Sequence, residues 1–521
     1  MNFARDVLDA APPDRRALVS LSRDGERREW TFGELGDRAA RLAGTLQSRG
    51  VQRGDVVMTL IGNRPEWVLT MVACFRVGAV VLACNEQLRA NDLRMRIAAA
   101  DPTVILADER NASELSAADP ACEVILIPDE SLYDHEPAAA AELAPTDPCL
   151  ITFTSGTTGE AKGVVHGQRY LPGQRLQASH WLGAREGELI WCTAASGWSK
   201  SARNAFIAPW LMGAAALVQD ARFDPFERLE VLAAERVNVL CMAPTEYRVI
   251  AKRADLEPLP SLRGLVAAGE ALNPEVLRAF RDGTGLEIRD GYGQTETGQL
   301  TGMPAGADVR SGSMGRPLPG VALEVEPDDS SAARSSEAGS RARGELEGEL
   351  VLKDPSTDPT FFVAYLNGPD DSSAARSGEA GCLAGRKLEG APEHVPWHTG
   401  DRVRGDDHGY LYFEGRTDDV IISAGYRIGP FEVESALVSH NAVAEAAVVA
   451  APDDERGAVV RAVIVLRDGY AGSDDLAREL QDHVKAETAP YKYPRIVDFT
   501  SELPKTASGK IQRALLREQR Q

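Results

Sequence analysis

The sequence lacks the features that mark secreted and membrane-spanning proteins. Its seven cysteines are scattered and form no C-x-x-C pair, which predicts reduced, mostly buried thiols rather than disulfides or a zinc site. The first residues contain no apolar segment typical of a signal peptide. The most apolar stretch, from Thr70 to Cys84, is interrupted by Arg76 and is too short to span a bilayer. These absences predict a cytoplasmic protein with no stable membrane insertion.

Positive charge is also scarce. The formal net charge is −21 and the isoelectric point is about 5.0, which argues against nucleic acid or an anionic membrane surface as a partner. An anionic substrate would need a local basic site within this acidic protein. Nothing in the sequence indicates an oligomeric state.

Helical and extended patterns alternate along most of the chain, which has 521 residues and is 43% apolar, enough for two or more domains. A helix capped at Thr31 precedes an apolar strand at 56–61 and a helix at 65–75, and such alternation predicts parallel, doubly wound sheets. From about Met314 the predicted strands become short. We therefore predict an α/β fold in which residues 1–415 form a large N-terminal domain of two doubly wound α/β layers plus a small β-rich subdomain. Residues 416–521 would form a small α+β C-terminal domain.

Two low-complexity segments interrupt the predicted β-rich part. Residues 327–339 read PDDSSAARSSEAG, and residues 369–381 differ from them at a single position. A stacked repeat architecture needs several units with apolar faces to bury, and these segments offer neither. We interpret the stretches near 327–343 and 369–392 as duplicated, solvent-exposed loop insertions.

The stretch around which the motifs are arranged is residues 151–163, ITFTSGTTGEAKG. Its pattern predicts a strand, a tight hydroxyl-rich loop and a return into structure, and consecutive N–H groups in such a loop can form a nest that holds an anion. Lys162 adds a positive charge suited to phosphate. A polar surface turn is the alternative, and the lysine does not fall where a Walker A loop requires it. The candidate phosphate-binding residues are Thr154, Ser155, Gly156, Thr157, Thr158, Gly159 and Lys162.

Two later segments, AAGEAL at 267–272 and DGYGQTE at 290–296, each follow or end a predicted strand. Ligands of open α/β sheets bind beyond the carboxyl ends of the strands, so both segments can face one crevice. Tyr292 can stack on a base, and Thr295 can donate a hydrogen bond to a phosphate. Glu296 is a hard oxygen ligand suited to Mg²⁺ beside phosphates. Taken alone, each segment could equally be an ordinary turn.

Three more motifs follow: TGD at 399–401, GRTDD at 415–419 and PKTASGK at 504–510. Together with TSGTTGEAKG and YGQTE, and in this order, they resemble the signatures of the adenylate-forming enzymes, a superfamily of acyl-CoA synthetases, adenylation domains and firefly-type luciferases. The resemblance covers nearly the whole chain apart from the two insertions. One such motif could arise by chance, but five in the family's order leave little room for it.

The resemblance implies two half-reactions: a carboxylic acid and ATP form acyl-AMP and pyrophosphate, and CoA then displaces AMP to give a thioester. Lys510, Lys162 and Glu296 would be catalytic, with Lys510 between the attacking carboxylate and the α-phosphate and Glu296 holding Mg²⁺. Asp401 and Arg416 would fix the ribose. The other residues that the resemblance assigns to ATP, some of them around adenine, are Gly269, Glu270, Asp290, Gly291, Tyr292, Gly293, Gln294 and Thr295.

Within the superfamily, segments 195–202, 423–434 and 489–495 look like those of the medium-chain acyl-CoA synthetases. That resemblance implies an acyl pocket with Trp198 as a wall and an open floor at Gly293, where acetate-specific relatives carry a tryptophan. The small C-terminal domain would be mobile and turn about a hinge at Asp418, which removes Lys510 from the site. Ala195 and Ser196 depart from the usual pattern beside the pocket. The implied CoA-binding residues are Ala424, Gly425, Tyr426, Arg427, Arg456, Lys485, Tyr493, Pro494 and Arg495.

Other functions share these motifs. The chain could activate a short-chain or aromatic acid, or it could load a carrier protein in trans, although no segment resembles a carrier domain. An oxygenase of the luciferase kind has the same fold but fits the acyl-pocket segments less well. A nucleotide sensor without activity is disfavoured because Lys162, Glu296, Asp401, Arg416 and Lys510 are all present.

Overall fold

The computed structural model describes residues 1–154, 162–269, 272, 274–327, 346–366, 388–392, 394–417, 419, 421–423, 426–453, 457–488, 492–505 and 511–518. The strands in chain order are β1 (Arg16–Leu21), β2 (Arg27–Thr31), β3 (Val56–Leu60), β4 (Val80–Ala83), β5 (Val104–Asp108), β6 (Glu123–Ile127), β7 (Pro148–Thr154), β8 (Lys162–Gly167), β9 (Leu189–Cys192), β10 (Ala215–Gln219), β11 (Val239–Met242), β12 (Gly264–Ala268), β13 (Ile288–Gln294), β14 (Gly298–Gly302), β15 (Arg316–Pro317), β16 (Leu323–Pro327), β17 (Leu346–Leu352), β18 (Ala364–Leu366), β19 (Leu388–Gly390), β20 (Trp397–Gly405), β21 (Leu411–Arg416), β22 (Ile421–Ser423), β23 (Tyr426–Ile428), β24 (Val443–Asp453), β25 (Gly457–Leu466) and β26 (Ile496–Thr500).

The helices in chain order are α1 (Phe32–Ser48), α2 (Pro65–Val77), α3 (Ala90–Ala100), α4 (Ala112–Ala118), α5 (Tyr170–Gly173), α6 (Arg175–Gln177), α7 (Ser199–Ala202), α8 (Ala208–Leu211), α9 (Pro225–Ala234), α10 (Pro244–Arg253), α11 (Pro274–Thr284), α12 (Pro430–Ser439), α13 (Asp474–Glu487) and α14 (Arg513–Glu518). Short 3₁₀ or π turns occupy Ala4–Asp9, Glu109–Asn111, Glu130–Tyr133, Ala178–Leu182, Arg203–Ile207 and Pro355–Thr357.

Two large sheets organise most of the described chain. In the first, strands follow the order β15-β14-β13-β12-β11-β9-β10-β1-β2, and in the second β19-β18-β8-β7-β4-β3-β5-β6. The inner strands of each sheet run parallel, from β13 to β1 and from β7 to β6. This confirms the predicted pair of α/β layers, since parallel neighbours need crossover segments such as α2 and α10 between them.

The sheets are mixed rather than wholly parallel, which corrects the prediction at their edges. Strand β2 pairs antiparallel with β1, and β14 and β15 extend the other end of the first sheet in antiparallel fashion. In the second sheet β8, β18 and β19 do the same. Alternation of helix and strand in the sequence indicates crossover connections between parallel strands. These edge strands are instead joined to their neighbours by hairpins or come from distant segments, so the alternation does not reveal them.

Two smaller units follow. An antiparallel sheet of order β16-β17-β20-β21 forms the predicted β-rich part, and its strand β20 carries the TGD motif. After it, β24-β25-β26 form a sheet covered by α12 and α13, with a separate core that includes Val433, Leu437, Ile464, Leu480 and Val484. The large N-terminal and smaller C-terminal parts of the prediction are both present.

Local sequence signals hold where they are strongest. Thr31 caps α1 through a reciprocal pair of hydrogen bonds: its hydroxyl accepts from the Glu34 N–H at 3.2 Å, and its own N–H donates to the Glu34 carboxylate at 2.8 Å. The stretch from Thr70 to Cys84 is the end of α2 running into β4, both in the core. No described helix is long and apolar enough to cross a membrane. The described cysteines are free thiols, and Cys382 lies outside the described residues together with most of both insertions.

Candidate active site

The phosphate-loop candidate is held between two paired strands. Thr154 ends β7, Lys162 begins β8, and the two residues face each other in antiparallel register. This confirms the predicted strand and return on either side of the loop. The loop residues themselves, 155–161, lie outside the described residues, so their assignment to phosphate stays a prediction.

Tyr365 connects Lys162 with Glu296, and sequence reasoning missed it. Strand β18 pairs with β8 so that Tyr365 lies opposite Val164. The Tyr365 ring centroid is 5.3 Å from the Lys162 ammonium nitrogen, and the Tyr365 hydroxyl donates to Glu296 Oε1 at 3.0 Å. Burial, together with the charge of Glu296, raises the pKa of the Tyr365 hydroxyl, so this group remains a donor at neutral pH. The one feature of the sequence that could have drawn attention to Tyr365 is its position just before the second insertion.

Glu296 has the donor chemistry that Mg²⁺ prefers beside phosphates. It lies in the turn between β13 and β14, and its Oε2 accepts no hydrogen bond from any described residue. The described residues contain no group of three or more metal-ligating side chains. One carboxylate with open coordination fits an ion that takes most of its ligands from substrate phosphates and water.

A second network joins the YGQTE, TGD and GR motifs. Asp401 of β20 accepts hydrogen bonds from the hydroxyl of Tyr292, from Gln294 Nε2 at 2.8 Å and from Arg416 Nη1 at 3.2 Å. Gln294 Nε2 also donates to the Thr399 carbonyl at 2.7 Å. Burial raises the pKa of Asp401, while Arg416, Tyr292 and Gln294 oppose that rise. Residues more than a hundred positions apart are thus fixed together before any ligand arrives.

Gly269 and Asp290 lie near the carboxyl end of β12, in neighbouring strands of the first sheet. Gly269 follows β12 with a φ of +103°, and Asp290 is opposite Ala267 in the parallel β12–β13 register. The Gly291 N–H donates to Asp290 Oδ1 at 2.8 Å. Burial raises the pKa of Asp290 to about 8, against the opposing effects of this N–H and of Lys200. Gly291 and Thr295 lie in β13 and in the turn after it, beside the same edge.

Trp198 is positioned by the two residues before it. The Ser196 N–H donates to Asn63 Oδ1 at 2.9 Å, and its hydroxyl donates to the carbonyl of Ile61. Gly197 has a φ of +88°, and a Cβ there would come within 2.3 Å of a neighbouring backbone nitrogen. This tight anchor places Trp198 at the start of α7, which lies beside the end of β12.

The predicted open floor of the acyl pocket at Gly293 stays a prediction. A Cβ on Gly293 would lie 1.8 Å from the carbonyl oxygen of Gly298 in the adjacent strand. The residue sits at a register irregularity where β13 and β14 approach closely, so the glycine allows a close backbone approach at this point. The sequence pattern shows that a side chain is missing, but not which way it would have pointed.

The structure brings together three of the residues predicted to contact CoA. The Lys485 ammonium nitrogen is 4.4 Å and the Arg495 guanidinium carbon 5.0 Å from the centroid of the Tyr493 ring. Lys485 also pairs with Asp482 at 2.8 Å, and Pro494 is buried between Tyr493 and the exposed Arg495. Of Tyr426 and Arg427 the backbone alone is described, in β23.

Several predicted site residues lie outside the described residues, so their roles stay predictions. These are Ser155, Gly156, Thr157, Thr158, Gly159, Glu270, Asp418, Ala424, Gly425, Arg456 and Lys510.

Comparisons with known proteins agree with this geometry. The family model of the AMP-binding enzymes matches residues 5–361, and that of the AMP-binding enzyme C-terminal domain matches residues 432–510. The uncharacterized acyl-CoA ligase YtcI of Bacillus subtilis is 35% identical, over 98% of this chain and 94% of its own length. Human mitochondrial acyl-coenzyme A synthetase ACSM4 is 37% identical, over 99% and 90%.

Solved structures give the same result. The acyl-CoA synthetase of Brucella canis superposes with a TM-score of 0.71 at 31% identity, over 99% of this chain and 94% of that one. A benzoate CoA ligase from Burkholderia xenovorans superposes with a TM-score of 0.82 at 28% identity, over 99% and 100%.

Proposed function

The chain belongs to the AMP-binding enzyme family, and from that premise we propose that it converts a carboxylic acid of medium length to its CoA thioester. It is an AMP-forming acyl-CoA synthetase, an ATP-dependent acid–thiol ligase. The medium-length acid is the finer part of the proposal. It is supported by the likeness to a synthetase of the ACSM group.

The observation that carries the proposal is the convergence of motifs from distant parts of the chain. Lys162, Tyr365 and Glu296 form one connected group, and Tyr292, Asp401 and Arg416 form another. Each group includes a residue from one short segment: Glu296 lies in the turn after β13, and Tyr292 lies in β13 itself. Each group combines a carboxylate, a cation and a tyrosine hydroxyl. Such a mixture suits a nucleotide, whose ribose offers hydroxyls and whose phosphates are anionic.

The first half-reaction must bring an anionic carboxylate against an anionic α-phosphate. Fixed cations and donors reduce that repulsion most where water is scarce. We assign Lys162, the donors of loop 154–159 and Lys510 to this role, with Lys510 nearest the reacting atoms. Mg²⁺ bound to Glu296 would supply charge neutralisation at the β- and γ-phosphates. A carboxylate is already ionised at neutral pH, so this step needs no general base.

In the second half-reaction the CoA thiol attacks the acyl carbonyl, and AMP leaves. Tyr493 with its two flanking cations, Lys485 and Arg495, would bind the phosphorylated nucleotide of CoA, together with Arg456. Rotation of the C-terminal domain about a hinge at Asp418 would move Lys510 out of the active site and bring the segment 424–427 in. We also propose that the boundary between the two domains lies between residues 415 and 416. The proposed location of the protein is the cytoplasm.

Loading of a carrier protein in trans is the second candidate, because it uses the same first half-reaction. The group of Lys485, Tyr493 and Arg495 favours CoA, since cations beside an aromatic ring suit a free nucleotide better than a protein-bound pantetheine arm.

A panel of straight-chain acids from acetate to dodecanoate tests the proposal. With ATP, Mg²⁺ and CoA we expect one AMP, one pyrophosphate and one acyl-CoA per acid, measured by pyrophosphate release and mass spectrometry. Activity should rise by about fourfold per methylene until the pocket is full, because each buried methylene is worth about 0.8 kcal/mol. Preference for acetate would contradict the medium-length acid, and acyl-AMP without acyl-CoA would favour the carrier protein.

A further inference from the structure

Lys200 places an ammonium group beside the predicted acyl pocket. It is the second residue of α7, two positions after Trp198, and its Nζ donates to the carbonyl of Ala268 at 3.0 Å. A Cβ on Gly269 would lie 3.1 Å from the same nitrogen. The ammonium group therefore lies at the end of β12, between the Trp198 segment and the edge of the sheet.

The described neighbours of Lys200 include two buried cysteines. The side chain is half-buried, and Cys192 and Cys241, which face each other on β9 and β11, lie on the sheet beneath it. Within the described part of the chain, no carboxylate oxygen approaches the ammonium nitrogen to 4.0 Å. An ammonium group has three donors, and a single carbonyl satisfies one of them.

The nearest described acid does not neutralise this charge. Asp290 lies on the adjacent strand β13, but burial raises the pKa of its carboxyl to about 8, so at neutral pH it is mainly uncharged. Lys200 is half-buried, and partial removal of an ammonium group from water without an anionic partner is costly. Among the described residues no such partner is present, and a bound anion would supply one.

We propose that the acid substrate carries a second carboxylate on its acyl chain and that Lys200 binds it. This inference rests on the proposed function, since it adds a chemical class to the acid of that reaction: a dicarboxylic acid of medium length, converted at one end to its mono-CoA thioester. Lys200 is then a specificity-determining residue, which holds the end of the acyl chain that does not react.

Two other roles for Lys200 make different predictions. If it only satisfies the last carbonyl of β12, its loss should lower stability without changing the order of preference among acids. If it acts on the reacting carboxylate or on phosphate, its loss should slow every acid to the same degree.

The test compares hexanoate with adipate, which match in length and differ by the second carboxylate. For the wild type we expect kcat/KM for adipate to exceed that for hexanoate by at least about tenfold, because a hydrogen bond to a charged partner commonly contributes this much. Lys200→Met keeps the length of the side chain and removes the charge. It should lower kcat/KM for adipate by about 10²-fold while leaving hexanoate equal or improved.

Lys353→Met is the matched control, because Lys353 is exposed and its ammonium group already pairs with Glu324 and Glu326. It should leave both acids unchanged. Glu270→Gln tests the neighbour of Gly269 that lies outside the described residues. If Glu270 is the partner of Lys200, Glu270→Gln should raise the preference of the enzyme for adipate. That result, together with a wild-type enzyme that prefers hexanoate, overturns the proposal.

The possible outcomes distinguish failure of the proposed function from failure of the proposed role of Lys200. If no acid of either kind yields AMP and a CoA thioester, the proposed function fails. If hexanoate and adipate both react and Lys200→Met leaves their ratio unchanged, the proposed function stands and the role of Lys200 is refuted.

Discussion

The predicted nucleotide site and the predicted CoA site are built in opposite ways. Tyr292 and Arg416 both donate hydrogen bonds to Asp401, which is only 5% exposed. Around Tyr493, two cations stack on one ring, and Arg495 is exposed to solvent. The first arrangement is a buried hydrogen-bonded network that exists before its ligand binds, whereas the second is a patch of charge on the surface.

This difference follows from what each site has to do. Chemistry at the α-phosphate depends on groups held in place in advance, because reorganisation during the reaction would cost part of the acceleration. A nucleotide that binds and leaves in each cycle can be attracted by exposed cations, whose individual contributions are small. In a chain of net charge −21 such a patch also provides local attraction for a polyanion.

The largest expected effect separates the two half-reactions directly. Lys510→Ala should lower the rate of acyl-AMP formation by about 10²–10³-fold, the usual loss on removing one preorganised electrostatic contact. Thioester formation from supplied acyl-AMP should continue at the wild-type rate. Single-turnover assays of each step provide the measurement, and equal damage to both would refute the assigned role.

Asp401→Asn tests whether the nucleotide site depends on its internal network. The change removes the charge that pairs with Arg416 and weakens the contact with Tyr292, so we expect KM for ATP to rise by about 10–100-fold. Asp406→Asn is the control: Asp406 pairs with Arg310 in the turn after β20, outside the site, and this variant should keep the wild-type KM. Identical KM values for both variants would show that the network is structural.

Tyr365→Phe tests whether Tyr365 positions Glu296. The ring that faces Lys162 remains, and the hydrogen bond to Glu296 is lost. We expect the Mg²⁺ concentration for half-maximal activity to rise by about tenfold, with kcat at saturating Mg²⁺ close to that of the wild type. A merely structural tyrosine would lower kcat or melting temperature and leave the Mg²⁺ titration in place.

Lys485→Ala and Arg495→Ala probe the exposed side of the comparison. Each should raise KM for CoA by about two- to fivefold, in line with exposed ion pairs, and the effect should shrink at high salt because exposed charges are screened. KM for ATP should not change. A loss of acyl-AMP formation in either variant would contradict a site confined to CoA.

The smallest effect is expected from the insertions. Removing residues 328–339 or 370–381 should leave kcat and melting temperature nearly unchanged, since loop length costs only about 0.6 kcal/mol per doubling. Differential scanning fluorimetry and steady-state rates check this. Insoluble protein after trimming would show that the segments pack against the fold.

The sequence predicts most of what is local in this molecule and little of what depends on direction. Strand β3 and helix α2 begin at the predicted residues, 56 and 65, because local apolar patterns mark them. The antiparallel edge strands and Tyr365 were missed. Tyr365 depends on which distant strand lies alongside, because β18 meets β8 across about two hundred residues of chain.

ATP–pyrophosphate exchange without CoA tests most directly whether the enzyme forms an acyl-adenylate before CoA binds. If the preorganised nucleotide site completes the first half-reaction alone, labelled pyrophosphate should enter ATP when a suitable acid is present, and AMP should accumulate only after CoA is added. Exchange that requires CoA, or formation of ADP and phosphate in place of AMP and pyrophosphate, would contradict the central claim that one site makes an acyl-adenylate before CoA binds.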